Sequence, residues 1–234
     1  MNTPSKNKHI VVLTGAGISA ESGLSTFRDT GGLWERYPVE EVATPWGWQV
    51  NPDKVLQFYN ARRQQIRQAQ PNAAHYALAQ LEKLFHVSII TQNIDDLHER
   101  AGSHHVLHLH GEIMKARSSV DPKLIYDLGD KDIHLGDKCA KGSQLRPHVV
   151  WFYEDVPQFP TAAEITTGAD LMLVVGTSLS VYPAATLIEY VGPNTPVIVI
   201  APELESVPEG VTWFKAKATE KLPELVQQWL NEGI

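Results

Sequence analysis

Residues 9–29 read HIVVLTGAGISAESGLSTFRD, and the fold is decided by how this stretch is read. His9 to Thr14 is a short apolar run of the kind that forms a buried strand. It stops at Gly15-Ala16-Gly17, where glycine lets the backbone come close to a ligand. Ile18 to Ser22 then reads as a first helical turn with free N–H groups. Strand, glycine turn and helix N-terminus together form a pyrophosphate cradle, although G-x-G also occurs in turns that bind nothing. A dehydrogenase would need a second strand about 30 residues on, with an acid about 20 residues past the glycines for the ribose. The next convincing strand is His86 to Thr91, so a segment is inserted and the fold is a variant cofactor fold.

Outward from the cradle, Gly31 to Trp34 and Thr44 to Trp48 read as aromatic loops. Pro52 opens a helix through Gln68 in which Val55, Phe58, Tyr59, Arg62 and Ile66 share a face. Asn72 caps a second helix, Ala73 to Phe85. The strand at 86–91 delivers the polar run Thr91-Gln92-Asn93-Ile94-Asp95-Asp96 to its carboxyl end, where parallel sheets bind ligands. His105 to His110 reads as another strand, terminated by Gly111. Residues 112–147 are polar, without a long periodic segment, and read as an excursion from the sheet. Pro147 to Phe152 is strand-like, Pro160 to Gly168 helical, and Asp170 to Val175 a strand ending at Gly176-Thr177-Ser178. Pro183 to Val191 reads as a helix, 196–200 and 211–214 as strands, and Leu222 to Leu230 as a closing amphipathic helix. The alternation predicts an α/β fold with a mostly parallel sheet covered on both faces and interrupted by insertions at about 30–70 and 112–148.

Composition narrows the class. With 234 residues the chain can bury a real core. Its net charge of -7 argues against non-specific nucleic-acid binding and tolerates a basic, lysine-bearing partner. No apolar run spans a bilayer, and Met1 to Lys8 lacks the apolar core of a secretory signal. Cys139 is the only cysteine, so no internal disulfide forms, which fits a reducing cytoplasm.

Several residues carry chemistry on paper. On one strand His104, His108 and His110 would face one way, but no carboxylate or cysteine completes a metal set by spacing. His108 reads as a hydrogen-bonded structural histidine. His110, at the sheet's ligand edge, reads as a group that takes a proton near neutral pH, against the alternative of a core histidine. Tyr59 and Arg62 point the same way and offer a hydrogen bond plus a fork for a carboxylate. From spacing alone the plainer reading is a helix surface, with Arg62 and Arg63 solvated. Gly176-Thr177-Ser178 suits a phosphate or ribose, or is an ordinary turn. Trp34, Trp46 and Trp48 suit packing better than base stacking, given the acidic balance.

Five blocks in order resemble the sirtuin family of NAD-dependent protein lysine deacylases: Gly15 to Ser19, Gly23 to Asp29, Gln92 to Asp95, His110-Gly111-Glu112 and Gly176 to Ser178. They cover nearly the whole chain. The Tyr59-x-x-Arg62 pair is similar to that of the bacterial CobB-type branch, class III, and replaces the helix-surface reading. The resemblance implies a Rossmann-like NAD-binding domain from 1–29, 71–111 and 148–234, and a small domain from 30–70 and 112–147. NAD would be held by Gly15, Ala16, Gly17, Glu21, Thr26, Phe27, Arg28, Trp34, Gln92, Asn93, Ile94, Asp95 and His110. Gly176, Thr177, Ser178, Ala201, Glu203 and Ala218 would complete the cofactor site on the adenosine side. Val149, Trp151 and Phe152 would border an acyl-lysine protein or peptide that adds as a strand, and Ala43, Tyr59 and Arg62 would line the acyl pocket.

The implied chemistry is attack of the acyl oxygen on the ribose C1′ with loss of nicotinamide. His110 would act as general base, Asn93 and Asp95 would stabilise the cationic centre, and Phe27 would shield it. The products would be free lysine, nicotinamide and O-acyl-ADP-ribose. Arg62 would favour succinyl or malonyl tails beside acetyl. The chain departs from the family in three places. Ser118 and Ser119 stand where relatives carry the first zinc cysteine pair, and only Cys139 remains of the second, so no metal site is expected and residues 112–147 are held by packing and hydrogen bonds. Tyr153 replaces the glycine of Phe-Gly-Glu, and Ala201 replaces an asparagine at an adenosine-ribose contact. The chain is expected to be a cytoplasmic monomer, with neither nucleic acid nor membrane as partner. The alternatives are an NAD or ADP-ribose binding protein without deacylase activity, or an ADP-ribosyltransferase using the same C1′ electrophile. A conventional dehydrogenase fails on strand spacing.

Overall fold

The computed structural model describes residues 8–24, 37–204 and 206–234. Six parallel strands form the main sheet in the order β3-β2-β1-β7-β8-β9. They are β1 His9–Thr14, β2 His86–Thr91, β3 Val106–His108, β7 Leu171–Val175, β8 Val197–Ile200 and β9 Val211–Phe214. Every pairing is parallel, and β1 pairs with both β2 and β7. The chain runs outward from β1 to β3, then restarts at β7 on the other side. The β1/β7 border is therefore the topological switch point at which Rossmann-type sheets bind ligands.

The strands' two-residue period distributes the core. Ile10 and Val12 face one layer, with Leu78, Leu81, Leu222 and Trp229 from α5 (Ala73–Leu81) and α8 (Ala218–Glu232). Val11 and Leu13 face the other, with Ala162 from α7 (Phe159–Thr167) and Leu187 from a 3₁₀ helix, Ala184–Tyr190. Each such fully buried aliphatic side chain contributes about 1.5–3 kcal/mol relative to exposure.

The cradle helix α1 is a single turn, Gly17–Ala20. The first insertion supplies α2 (Val39–Val42), α3 (Pro45–Val50) and the long α4 (Pro52–Gln68). Asn72 caps α5 by accepting from Ala74 N at 3.0 Å, and its own N–H donates to His75 Nδ1 at 3.3 Å. The helix stops at Leu81, short of Phe85, and Glu82 to Leu84 finish as turn. Leu97–Arg100 forms α6.

The second insertion is not the strandless excursion its composition suggests. It holds an antiparallel sheet in the order β5-β4-β6, from β5 Ile125–Asp127, β4 Gly111–Ser118 and β6 Leu145–Val149. The strand expected over 105–110 covers only 106–108, so His104, His108 and His110 share no face. Gly111 does not end that strand: at φ +79° it turns the chain into β4. The run expected to be extended over 147–152 leaves the ladder after Val149.

Helix α4 is stitched to this sheet. Asn60 donates to Ile133 O at 2.8 Å and accepts from Ile133 N at 3.1 Å. Arg63, expected in solvent, is fully buried, with Nε donating to Ile113 O at 2.8 Å. In the second insertion, Ser118 Oγ lies 3.0 Å from Ser143 Oγ, and Cys139 Sγ lies 3.0 Å from the same hydroxyl. Hydrogen bonds from Ser118 and Ser143 lower the Cys139 thiol to about 7. Among the described residues no three His, Cys, Asp or Glu side chains converge as a metal would require, and no helix is long and apolar enough to cross a membrane.

Candidate active site

The site lies at the carboxyl ends of β1, β2 and β7, and two turns build its floor. Gly17 N donates to Gly176 O at 2.8 Å, and Gly15 N donates to Val175 O at 3.1 Å. A Cβ on Gly15 would lie 2.7 Å from Thr177 Cβ, and one on Gly17 would lie 2.8 Å from Gly176 O. Gly176 itself has φ +65°, and a Cβ there would overlap Ile18 N. The glycines therefore let one turn press on the other, and so hold Ala16, Thr177 and Ser178 side by side at the switch point. The Ser178 hydroxyl meets Ser180 Oγ at 2.9 Å.

From β2, Gln92 N donates to Thr14 O at 2.9 Å. Asn93 is buried and gives its amide to Gly15 O and Ser19 Oγ, at 3.2 and 3.1 Å. Ile94 O receives Ile113 N, which ties the site to β4. Asp95 is 5 % exposed; it accepts from Ser19 Oγ at 3.0 Å and from Leu97 N at 3.1 Å. Burial raises its carboxyl above the usual range against these two bonds.

Below these groups runs a buried polar layer with no motif of its own. Thr14 Oγ1 donates to Thr91 Oγ1 at 2.8 Å and lies 3.0 Å from His98 Nε2. His75 and His98 meet edge to face at 5.0 Å. Burial lowers His75 to about 4 and His98 well below its ordinary value, so both are neutral at pH 7. Their helical positions look like core stripe, and only their polarity within it signals the layer.

The histidines divide by role. His108 is satisfied by Asn93 O at 3.2 Å and Glu99 Oε1 at 2.7 Å. Burial would lower it, but the Glu99 bond and charge outweigh burial and raise it. His110 Nδ1 meets Gln92 O at 2.9 Å. A carbonyl only accepts, so the neutral ring carries its proton on Nδ1 and presents Nε2 as a base. Burial lowers His110, partly opposed by the Gln92 carbonyl.

The residues assigned to the acyl-lysine side converge. Ala43, Tyr59, Val149 and Trp151 pack in one apolar cluster with Phe58 and Leu97. Tyr59 is 3 % exposed, and burial pushes its phenol up. Arg62, one turn on, is half-buried; burial lowers it, opposed by the charge of Asp95. Phe152 N donates to Ala43 O at 3.0 Å, joining the segment after β6 to the first insertion. Sequence reasoning missed the brace beneath. Glu154 accepts from Arg146 Nη1 at 2.6 Å, Arg117 Nη2 at 3.1 Å and Trp151 N at 2.8 Å, and the Arg146 guanidinium stacks 3.2 Å from the Trp151 ring centroid.

The adenosine-side residues lie apart from this cluster, along β8 and α8. Ala201 is buried after β8 and accepts from Trp213 Nε1 at 2.9 Å; Glu203 is exposed; Ala218 opens α8. Glu21 pairs with Lys217 at 3.2 Å and accepts from Thr219. Thr26, Phe27, Arg28 and Trp34 lie outside the described residues.

The chain is similar to known proteins over most of its length. The Sir2 family model matches residues 15–183. A Helicobacter pylori NAD-dependent protein deacylase is 49 % identical over 226 residues, covering 96 % of each chain. A Sir2 homologue solved with NAD superposes with a TM-score of 0.89 at 40 % identity, covering 99 % of this chain and 93 % of that one. A Sir2 protein solved with a deacetylated p53 peptide and 3′-O-acetyl ADP-ribose gives 0.77 at 30 % identity, covering 96 % and 93 %. With the switch-point turns, the polar end of β2 and the matched span in agreement, the chain belongs to the Sir2 family.

Proposed function

We propose that the chain is an NAD-dependent protein-lysine deacylase, acting on acyl-lysine in the cleft between the parallel sheet and the two insertions. The observation that carries this reading is His110. It is a neutral imidazole whose Nδ1–H is fixed on Gln92 O, at the mouth where the NAD-side and acyl-side residues meet. The polar set fits NAD: the side chains of Gln92 and Asn93, hydroxyls from Thr177 and Ser178, the buried Asp95 carboxyl, and bare glycine backbone beside Ala16. When bound, NAD supplies an electrophilic ribose carbon and nicotinamide as leaving group.

The chain's own residues do the rest. Asn93 and Asp95, held by Ser19, orient groups at the ribose. His110 Nε2 takes a proton from a ribose hydroxyl, and its lowered pKa keeps it competent at neutral pH. Val149 and Trp151 exclude water around the lysine stem. Arg62, one turn from Tyr59 on the pocket side of α4, favours an acyl tail ending in a carboxylate, so succinyl- and malonyl-lysine join acetyl-lysine as substrates.

Mass spectrometry of matched acetyl- and succinyl-lysine peptides, with and without NAD, tests this. Deacylation only with NAD, together with O-acyl-ADP-ribose, is expected. Arg62→Met should lower succinyl turnover at least about tenfold more than acetyl turnover. Equal losses would sink the acid-pocket assignment, and NAD binding without any deacylation would sink the deacylase.

A further inference from the structure

Beside the cleft, one side chain stands where its backbone disfavours it. Tyr153 has φ +70°, a left-handed conformation that costs an L-residue with a Cβ about 1–2 kcal/mol, yet it carries a large ring that is 92 % exposed. Both neighbours hold it there: Phe152 N is bonded to Ala43 O, and Glu154 is bound by Arg146 and Arg117. Tyr153 lines a groove of about 300 Å³ together with Glu40, Thr44, Pro45 and Trp46. Trp46 is 61 % exposed and is fixed on the first turn of α3, which Thr44 caps through Gly47 N at 3.0 Å.

We propose that this groove is a subsite for a lysine or arginine side chain of the substrate, a few residues from the acyl-lysine. The proposal rests on the deacylase reading and adds a rule for choosing proteins. Two exposed rings and a proline form walls along which an aliphatic stem packs and over which a cation is attracted. Glu40, an exposed acid, is among the lining residues, and the net charge of -7 favours a basic partner. The groove adjoins the acyl-side residues along the chain: Tyr153 directly follows Phe152, and α3 directly follows Ala43 and Thr44.

The test uses the full chain, NAD and acetyl-lysine peptides that differ at one flanking position carrying Arg, Ala, Leu or Glu. An isolated acetyl-lysine amide without flanks serves as reference. At one position kcat/KM should be about fivefold to tenfold higher for Arg than for Ala, and lowest for Glu. That preference should fall below about twofold in Tyr153→Gly and in Trp46→Ala, with turnover of the isolated amide unchanged. A groove that prefers Leu to Arg, or an Arg preference that survives Tyr153→Gly, overturns the subsite. Failure of the wild type to turn over the isolated amide with NAD overturns the deacylase reading instead.

Discussion

Replacing Glu154 by Gln isolates what the brace under the cleft contributes. The carboxylate lies between two guanidinium groups, with side-chain exposures of 20 % for Glu154, 9 % for Arg146 and 11 % for Arg117. Burial alone would raise this carboxyl, but the bonds and charge of Arg146 outweigh burial and hold it below the usual range. Glutamine keeps an acceptor for Trp151 N and removes the charge, leaving two arginines that repel each other in a poorly solvated site. Breaking a fully buried pair costs about 3–5 kcal/mol, and partial exposure brings the expectation to about 2–3 kcal/mol. For a chain of this size that lowers Tm by about 4–12 °C. Urea denaturation and thermal scans of Glu154→Gln, Arg117→Gln and the double variant form a cycle. Once Glu154→Gln is in place, removing Arg117 takes away an orphaned cation, so it should cost less than removing it from wild type, with a coupling of at least about 0.5 kcal/mol. A single Glu154→Gln variant within about 0.5 kcal/mol of wild type, or strict additivity in the cycle, would refute the brace.

Two further outcomes follow from burial and backbone geometry. Gly176→Ala should cost at least about 3 kcal/mol in urea denaturation, since a left-handed φ combines with overlap on Ile18 N, whereas Gly129→Ala, also at positive φ but in open space, should cost only about 1 kcal/mol; equal costs would remove the close-approach argument. His75 and His98 have folded pKa values below the unfolded 6.5, so their contribution is fully present above pH 6.5 and is lost as pH falls toward the folded values, about 4 for His75. Each should withdraw about 1 kcal/mol between pH 7.5 and 5.5, and a pH–stability slope no shallower in His75→Gln than in wild type would contradict the assignment.

The parallel sheet was legible because its strands are apolar runs punctuated by glycine and helix caps. His9–Thr14, His86–Thr91 and Pro52–Gln68 appear where periodicity puts them. The antiparallel sheet was not legible, for three physical reasons. β5 has three residues, none buried. β6 reads as a strand only from Pro147 onward, because that proline sits within it. A register shift between Gly111 and Ala116 breaks the two-residue period of β4. The site's chemical groups were legible as motifs, but their supports were not. Arg63, His75 and His98 are polar residues on faces where composition predicts solvent or core, and only the partners that long-range folding brings to them explain their burial.

The joint between the Gly15–Gly17 turn and the Gly176 turn unites two distant stretches of the chain largely through main-chain atoms, with Thr177 Cβ packed against Gly15. Such a contact reads little side-chain identity, so it tolerates sequence drift on either side, provided the glycines and Thr177 stay. A chimera that joins the amino-terminal part of this chain to β7 and its following turn from another family member would meet the same backbone surface there. Mismatch in such a hybrid would instead arise where helix α4 meets β4 and the loop between β5 and β6, because that seam depends on particular side chains such as Arg63 and Asn60. Crossover points between β6 and β7, which keep that seam intact, are therefore the places where family members exchange halves at least cost.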